Sequence, residues 1–67
     1  MTPRRLATVM RDLRDRAKLT QEELAKRAKV SRSYLAALEA GHRKNPSIDT
    51  LKRLARALGV PVTELLE

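Results

Sequence analysis

TQEELAKRAKVSRSYLAALEAG, residues 20–41, contains two amphipathic segments with room for only three residues between them. Leu24, Ala25 and Ala28 recur at helical spacing in the first segment, and Leu35 and Leu38 do so in the second. Each segment therefore carries one apolar stripe, and both stripes must meet the same core. Thr20 followed by Glu23 has the form of a capping box, and Ser31 is an N-cap candidate. The spacing predicts one helix from Gln21 to Ala28 and another from Arg32 to Ala40. Ala25 is small enough to let the two axes approach closely at a steep angle, as a helix pair joined by so short a turn requires.

The same periodicity extends in both directions. Leu6, Val9, Met10, Leu13 and Ala17 lie three or four apart, as do Leu51, Leu54, Ala55 and Leu58. No segment alternates with period two, so the expected fold is all-α, a compact bundle of five short helices. Thr2 before Pro3 marks the first helix start, and Ser47 caps the fourth helix. Gly41 and Gly59 mark stops, and Asn45-Pro46 forbids a helix running through that loop. A last short helix is expected over Val62 to Leu66. With brief linkers and no repeat, residues 1–67 are read as one domain, in the size range where a single core is marginally stabilising.

Fifteen Lys and Arg against eight Asp and Glu give a formal net charge of +7. Such an excess favours a polyanionic partner, either nucleic acid or an anionic membrane surface, although solvated helix faces produce the same balance. Tyr34 is the only aromatic residue, which counts against single-strand binding through stacked bases. A membrane surface ranks lower, because the cations are spread over several short helices with no bulky apolar face to insert. No apolar run approaches the roughly 18 residues that a membrane span needs, so a soluble, cytoplasmic chain without a targeting segment is expected.

Composition also bears on chemistry. There is no cysteine, which excludes a disulfide scaffold, a thiolate zinc site and a cysteine nucleophile. His42 is the only histidine and reads as a titrating surface residue, so no metal or other cofactor is expected. Glu22 and Glu23 belong to the first turn of a helix, where the dipole favours them, and do not form a catalytic pair. The chain is not expected to be an enzyme.

TQEELAKRAKVSRSYLAALEAG, followed by NPSIDTLKRLARALGV and PVTELL, resembles the helix-turn-helix of the phage-repressor and Cro type, the xenobiotic-response-element family. The resemblance runs from about Leu6 onward. It implies that the helix beginning at Arg32 enters the major groove of double-stranded DNA while the preceding helix crosses the backbone. By position it implies base contacts from Ser31, Arg32, Ser33 and Ala37. Arg32 is the strongest of these, since its fork matches the O6 and N7 of guanine, with a phosphate contact as the alternative. Ser31 has a competing role as N-cap, and Ala36 and Ala37 offer no hydrogen bond, so direct readout is expected to be sparse.

The resemblance places phosphate contacts at Gln21 and Tyr34; the basic loop after Gly41 adds Arg43 and Lys44 beside the groove, and Lys29 stands close to the DNA backbone. A helix N-terminus is a ready anion site, which agrees with Gln21, though an exposed helix residue would look the same. For Tyr34 half-buried packing is the competing reading. The family also matches Arg14 and Glu39 to a partly buried structural ion pair. Lys29, and Lys18 at the equivalent stop of the first helix, stand where the motif commonly carries a left-handed glycine, so both are expected to have positive φ. The strain, on the order of 1 kcal/mol, is offset by a stiffer unfolded chain and by a cation at the helix's negative end.

Taken together, these readings point to a sequence-specific transcriptional regulator of double-stranded DNA. Repression is the commoner family role, and controller proteins of restriction-modification systems show that activation occurs too. A homodimer is expected, with Val60, Val62, Leu65 and Leu66 in excess of what a short last helix needs for its own docking. The second reading is an antitoxin, or another protein-binding module on the same fold, whose partner is a toxin.

Overall fold

The computed structural model describes residues 3–43 and 46–66. Five helices lie within them, α1 (Pro3–Arg16), α2 (Gln21–Ala28), α3 (Arg32–Glu39), α4 (Ile48–Leu58) and α5 (Thr63–Leu66), with no strand among the described residues. The Thr2 cap and the Lys44-Asn45 pair lie outside the described residues.

Three helices start on side-chain caps that the sequence announces. Thr20 Oγ1 accepts the Glu23 N–H at 3.0 Å, and the Glu23 carboxylate accepts the Thr20 N–H at 2.9 Å. Ser31 Oγ accepts the Tyr34 N–H at 3.0 Å, and Ser47 Oγ accepts the Thr50 N–H at 3.1 Å. Each bond satisfies a donor that the first turn of a helix leaves without an intrahelical acceptor. The hydrogen bond from the Thr20 backbone is the leading reason that the Glu23 carboxyl titrates below its usual range. A lowered folded-state pKa means that this contribution is complete above the ordinary carboxylate pKa and fades as pH falls through the lowered value. Acid titration of Glu23→Gln by circular dichroism should therefore show a shallower loss of stability than the parent, and Thr20→Ala should lose about 1 kcal/mol at neutral pH.

Helix ends follow one pattern, repeated at Lys18, Lys29, Gly41 and Gly59, whose φ values are 58, 59, 78 and 73°. In each case the next residue's N–H reaches back to a carbonyl five residues earlier: Leu19 to Arg14 at 3.1 Å, Val30 to Ala25 at 3.0 Å, His42 to Ala37 at 2.9 Å and Val60 to Ala55 at 3.0 Å. This is the Schellman arrangement, which uses carbonyls the last turn would otherwise leave open. Both lysines have the positive φ expected of them. Their left-handed geometry is held by these bonds and, at Lys29, by the packing of half-buried Val30 against the core.

Three boundaries differ from expectation. The third helix stops at Glu39, because Ala40 becomes the cap residue before the Gly41 reversal. The last helix begins at Thr63, with Val62 in the preceding turn, where its carbonyl accepts the Leu65 N–H at 2.9 Å. Ala17 lies just beyond the end of α1, its N–H still bonded to the Leu13 carbonyl at 3.0 Å, and is exposed, whereas Leu6 and Met10 on the apolar face are buried. Ala7, not counted on that face, is buried in its place.

The core is aliphatic, built from Leu6, Met10, Leu24, Leu35, Leu38, Leu51, Leu54 and Leu65 with the small Ala25, Ala28 and Ala55 where helices approach. Within it α4 packs on α2, α1 packs on α3, and α5 closes against α1 and α4. The N-terminal half of α3 is left standing at the surface, carried by helices on its other side.

Candidate nucleic-acid interface

Ser31, Arg32 and Ser33 are all exposed at the start of α3, whereas Leu35 and Leu38 on its opposite face are buried. The three or four residues that separate these faces thus produce a rigid helix with one face fixed in the core and the other facing outward. Ser31 uses one oxygen lone pair on the α3 cap, which leaves its hydroxyl proton and a second lone pair to offer outward. Ala36 and Ala37 are half-buried, so the outward face loses hydrogen-bonding capacity after its first turn.

Arg14 and Glu39 hold this helix in place. Arg14 Nε donates to Glu39 Oε2 at 2.8 Å and Nη2 donates to Oε1 at 3.0 Å, a bidentate pair, while Nη1 donates to the Leu19 carbonyl at 2.9 Å. The carboxylate is only 3 % exposed and the guanidinium 17 %. The Glu39 hydrogen bond, ahead of an opposing desolvation, raises the Arg14 pKa above its usual value. Gln21 joins the network, its Nε2 donating to Glu39 Oε1 at 3.1 Å. One carboxylate therefore ties together the end of α1, the start of α2 and the end of α3. The Gln21 amide is positioned by that bond, with its second N–H still available.

Beside the start of α3 lies an open groove of about 480 Å³, lined by Lys29, Ser31, Tyr34, Arg43, Ser47 and Arg53 among others. Tyr34 is half-buried and packs against the core, and the Arg43 guanidinium lies over its ring at 5.0 Å from the centroid. The packing alternative for the ring is thus observed, and its hydroxyl has no hydrogen-bond acceptor or donor among the described residues. Lys29 is exposed on the groove wall, His42 is exposed nearby in sequence, and Lys44 lies outside the described residues. The described residues contain no cluster of His, Cys, Asp and Glu that could hold a metal ion, and no helix long and apolar enough to cross a membrane.

Two features of this region were not visible in the sequence. Arg53, in the second turn of α4, reaches across to the Lys29 carbonyl and lines the groove. At the C-terminus Leu65 is 1 % exposed and belongs to the chain's own core, so it is not free for a dimer contact; Leu66, 37 % exposed, is. Val60 and Val62 are half-buried against that core.

Comparison with known proteins gives concordant results. The family model described as helix-turn-helix matches residues 10–65. The immunity repressor protein of Bacillus phage phi105 is 48 % identical over 54 residues, covering 81 % of this chain and 37 % of that protein. An HTH-type transcriptional regulator of Sinorhizobium fredii is 50 % identical over 54 residues, covering 81 % of this chain and 69 % of its own. Among solved structures, the restriction-modification controller protein C.AhdI from Aeromonas hydrophila superposes with a TM-score of 0.89 at 33 % identity, over 94 % of each chain. The chain thus spans well under half of the phage repressor and nearly all of the controller protein.

Proposed function

Because this chain belongs to the helix-turn-helix family, we propose that its 67 residues act as one domain that regulates transcription by binding specific sites on double-stranded DNA. The observation that carries this is the exposed Ser31-Arg32-Ser33 face, held out from a filled core beside a groove lined with cations. α3 is narrow enough for the major groove, and its first turn carries the polar groups. Arg32 reads a guanine through O6 and N7. Ser33 adds a hydroxyl that suits several bases, Ser31 reaches out with its remaining proton, and the Ala37 methyl meets a thymine methyl. Gln21, Lys29, Arg43, Lys44 and the Tyr34 hydroxyl take phosphates on either side.

The protein works as a homodimer in the cytoplasm, since one short helix reads only a few base pairs and a two-fold pair sets two such helices one DNA turn apart. Exposed Leu66 and half-buried Val62 supply the apolar part of that contact. Repression is the simplest outcome of occupying an operator, and catalysis forms no part of the function. The names of the phage repressor and the controller protein support this reading.

With so few base-reading groups, most of the affinity comes from phosphates, and specificity draws partly on DNA shape. Titration of random and selected duplexes at graded salt should show binding to both, with log K falling by about 0.9 per log unit of salt for each phosphate neutralised. Indifference to every duplex at low salt would remove the proposal and leave the protein-binding alternative, a toxin-masking surface, in its place.

A further inference from the structure

Arg53 is held in the groove by contacts that are all long. Its Nη1 lies 3.4 Å from the Lys29 carbonyl and its Nη2 lies 3.4 Å from Thr50 Oγ1. Its Nε is buried and has no aligned hydrogen-bond acceptor, although Asp49 Oδ2 stands 3.4 Å away as a counter-ion one turn back on α4. A guanidinium has five donors in a planar fork and suits an acceptor with several oxygens at once. Here it meets one carbonyl, one hydroxyl already bound by Ser47 Oγ at 2.8 Å, and one misaligned carboxylate. The side chain is 40 % exposed, so its head remains within reach of the solvent side of the groove.

The surroundings say what the missing acceptor is. Lys29 and Arg43 line the same groove, no carboxylate lines it among the described residues, and Ser47, the α4 cap, and Thr50, in the first turn of α4, open onto it. Arg53 and Lys29 also wall a smaller cleft of about 280 Å³ on the α2–α4 side, together with Arg27 and Arg56. Arg53 therefore stands between two cationic hollows, with Asp49 its one ion-pair partner among the described residues. That charge pattern repels a cation and suits a small, strongly acidic oxyanion.

We infer that the groove between the α3 start and the α4 start is a phosphate seat, and that Arg53 moves from Asp49 to a backbone phosphate of bound duplex DNA. This rests on the proposed DNA-binding function and adds to it a residue and a restraint. In the free protein Asp49 and the Lys29 carbonyl hold the guanidinium back. On binding, the phosphate displaces Asp49 and takes two donors, while the Lys29 carbonyl keeps the arginine anchored to the turn before α3. Contact with the backbone and the setting of the recognition helix are thereby joined through one side chain.

The test measures binding of a random-sequence duplex to the full chain at graded salt. Arg53→Gln should flatten the plot of log K against log salt by about 0.9 for each protomer bound. Arg53→Lys keeps the charge and should keep the slope. Asp49→Asn removes the competitor and should tighten binding about 2- to 5-fold at low salt, in line with the modest strength of an exposed ion pair. Unfolding of each variant is followed in parallel. If Arg53→Gln lowers the melting temperature but leaves the slope of the parent, Arg53 is a latch on the turn and the inference fails. It also fails if Asp49→Asn binds no more tightly than the parent. Those outcomes leave the DNA-binding function standing, whereas a parent chain that binds no duplex at all overturns both.

Discussion

Arg14→Met should remove a large part of the domain's stability and lower its melting temperature sharply. The substitution removes every donor that the Glu39 carboxylate has apart from Gln21 Nε2, and it does so at a position where water reaches only 3 % of the side chain. Stranding one member of a buried pair costs about 3–5 kcal/mol. A domain of this length has a total stability of about 3–10 kcal/mol at 0.05–0.15 kcal/mol per residue. The loss is thus a large part of the whole, and the melting curve should broaden and fall at neutral pH. Replacing both residues, Arg14→Met with Glu39→Met, removes the buried charges together and should recover most of the loss, short of the lost contact to the Leu19 carbonyl. If Arg14→Met melts like the parent, the pair does no structural work and the setting of α3 must come from apolar packing alone.

Arg32→Ala should change which DNA is bound more than how tightly DNA in general is bound. The side chain is exposed and has no hydrogen bond or ion pair among the described residues, so its removal should leave the melting temperature unchanged. A bidentate guanine contact contributes about 1–3 kcal/mol of discrimination, or roughly 5- to 150-fold. Selection from a random duplex pool should therefore lose its preference at one guanine, while affinity for non-specific duplex falls only by the salt-dependent share of a single charge. An unchanged preference would reassign Arg32 to a phosphate. Gln21→Ala is the useful contrast: it removes one arm of the Glu39 network and the phosphate donor proposed above, so it should weaken all duplexes alike.

Helix starts were legible because caps are local. Thr20, Ser31 and Ser47 each bond a donor three residues on, and no distant contact is needed to predict that. The reversals at Lys18 and Lys29 were legible only through the resemblance, since lysine by itself gives no sign of a left-handed backbone. Arg53 could not be found in this way: on α4 it looks like Lys52 or Arg56, and only the crossing of α4 over α2 brings it to the Lys29 carbonyl. The Gln21–Glu39 bond joins residues 18 apart and depends on the same kind of tertiary approach. Leu65 and Leu66 were indistinguishable because four helical residues make too short a run for periodicity to assign a face.

The solitary tyrosine has a practical consequence for anyone watching this protein in solution. With no tryptophan or phenylalanine in the chain, its near-ultraviolet light absorption and emission come from one ring. That ring sits on the wall of the groove beneath a guanidinium. The chain therefore carries an intrinsic optical reporter of the groove beside α3, largely silent about rearrangements at the far end of the bundle.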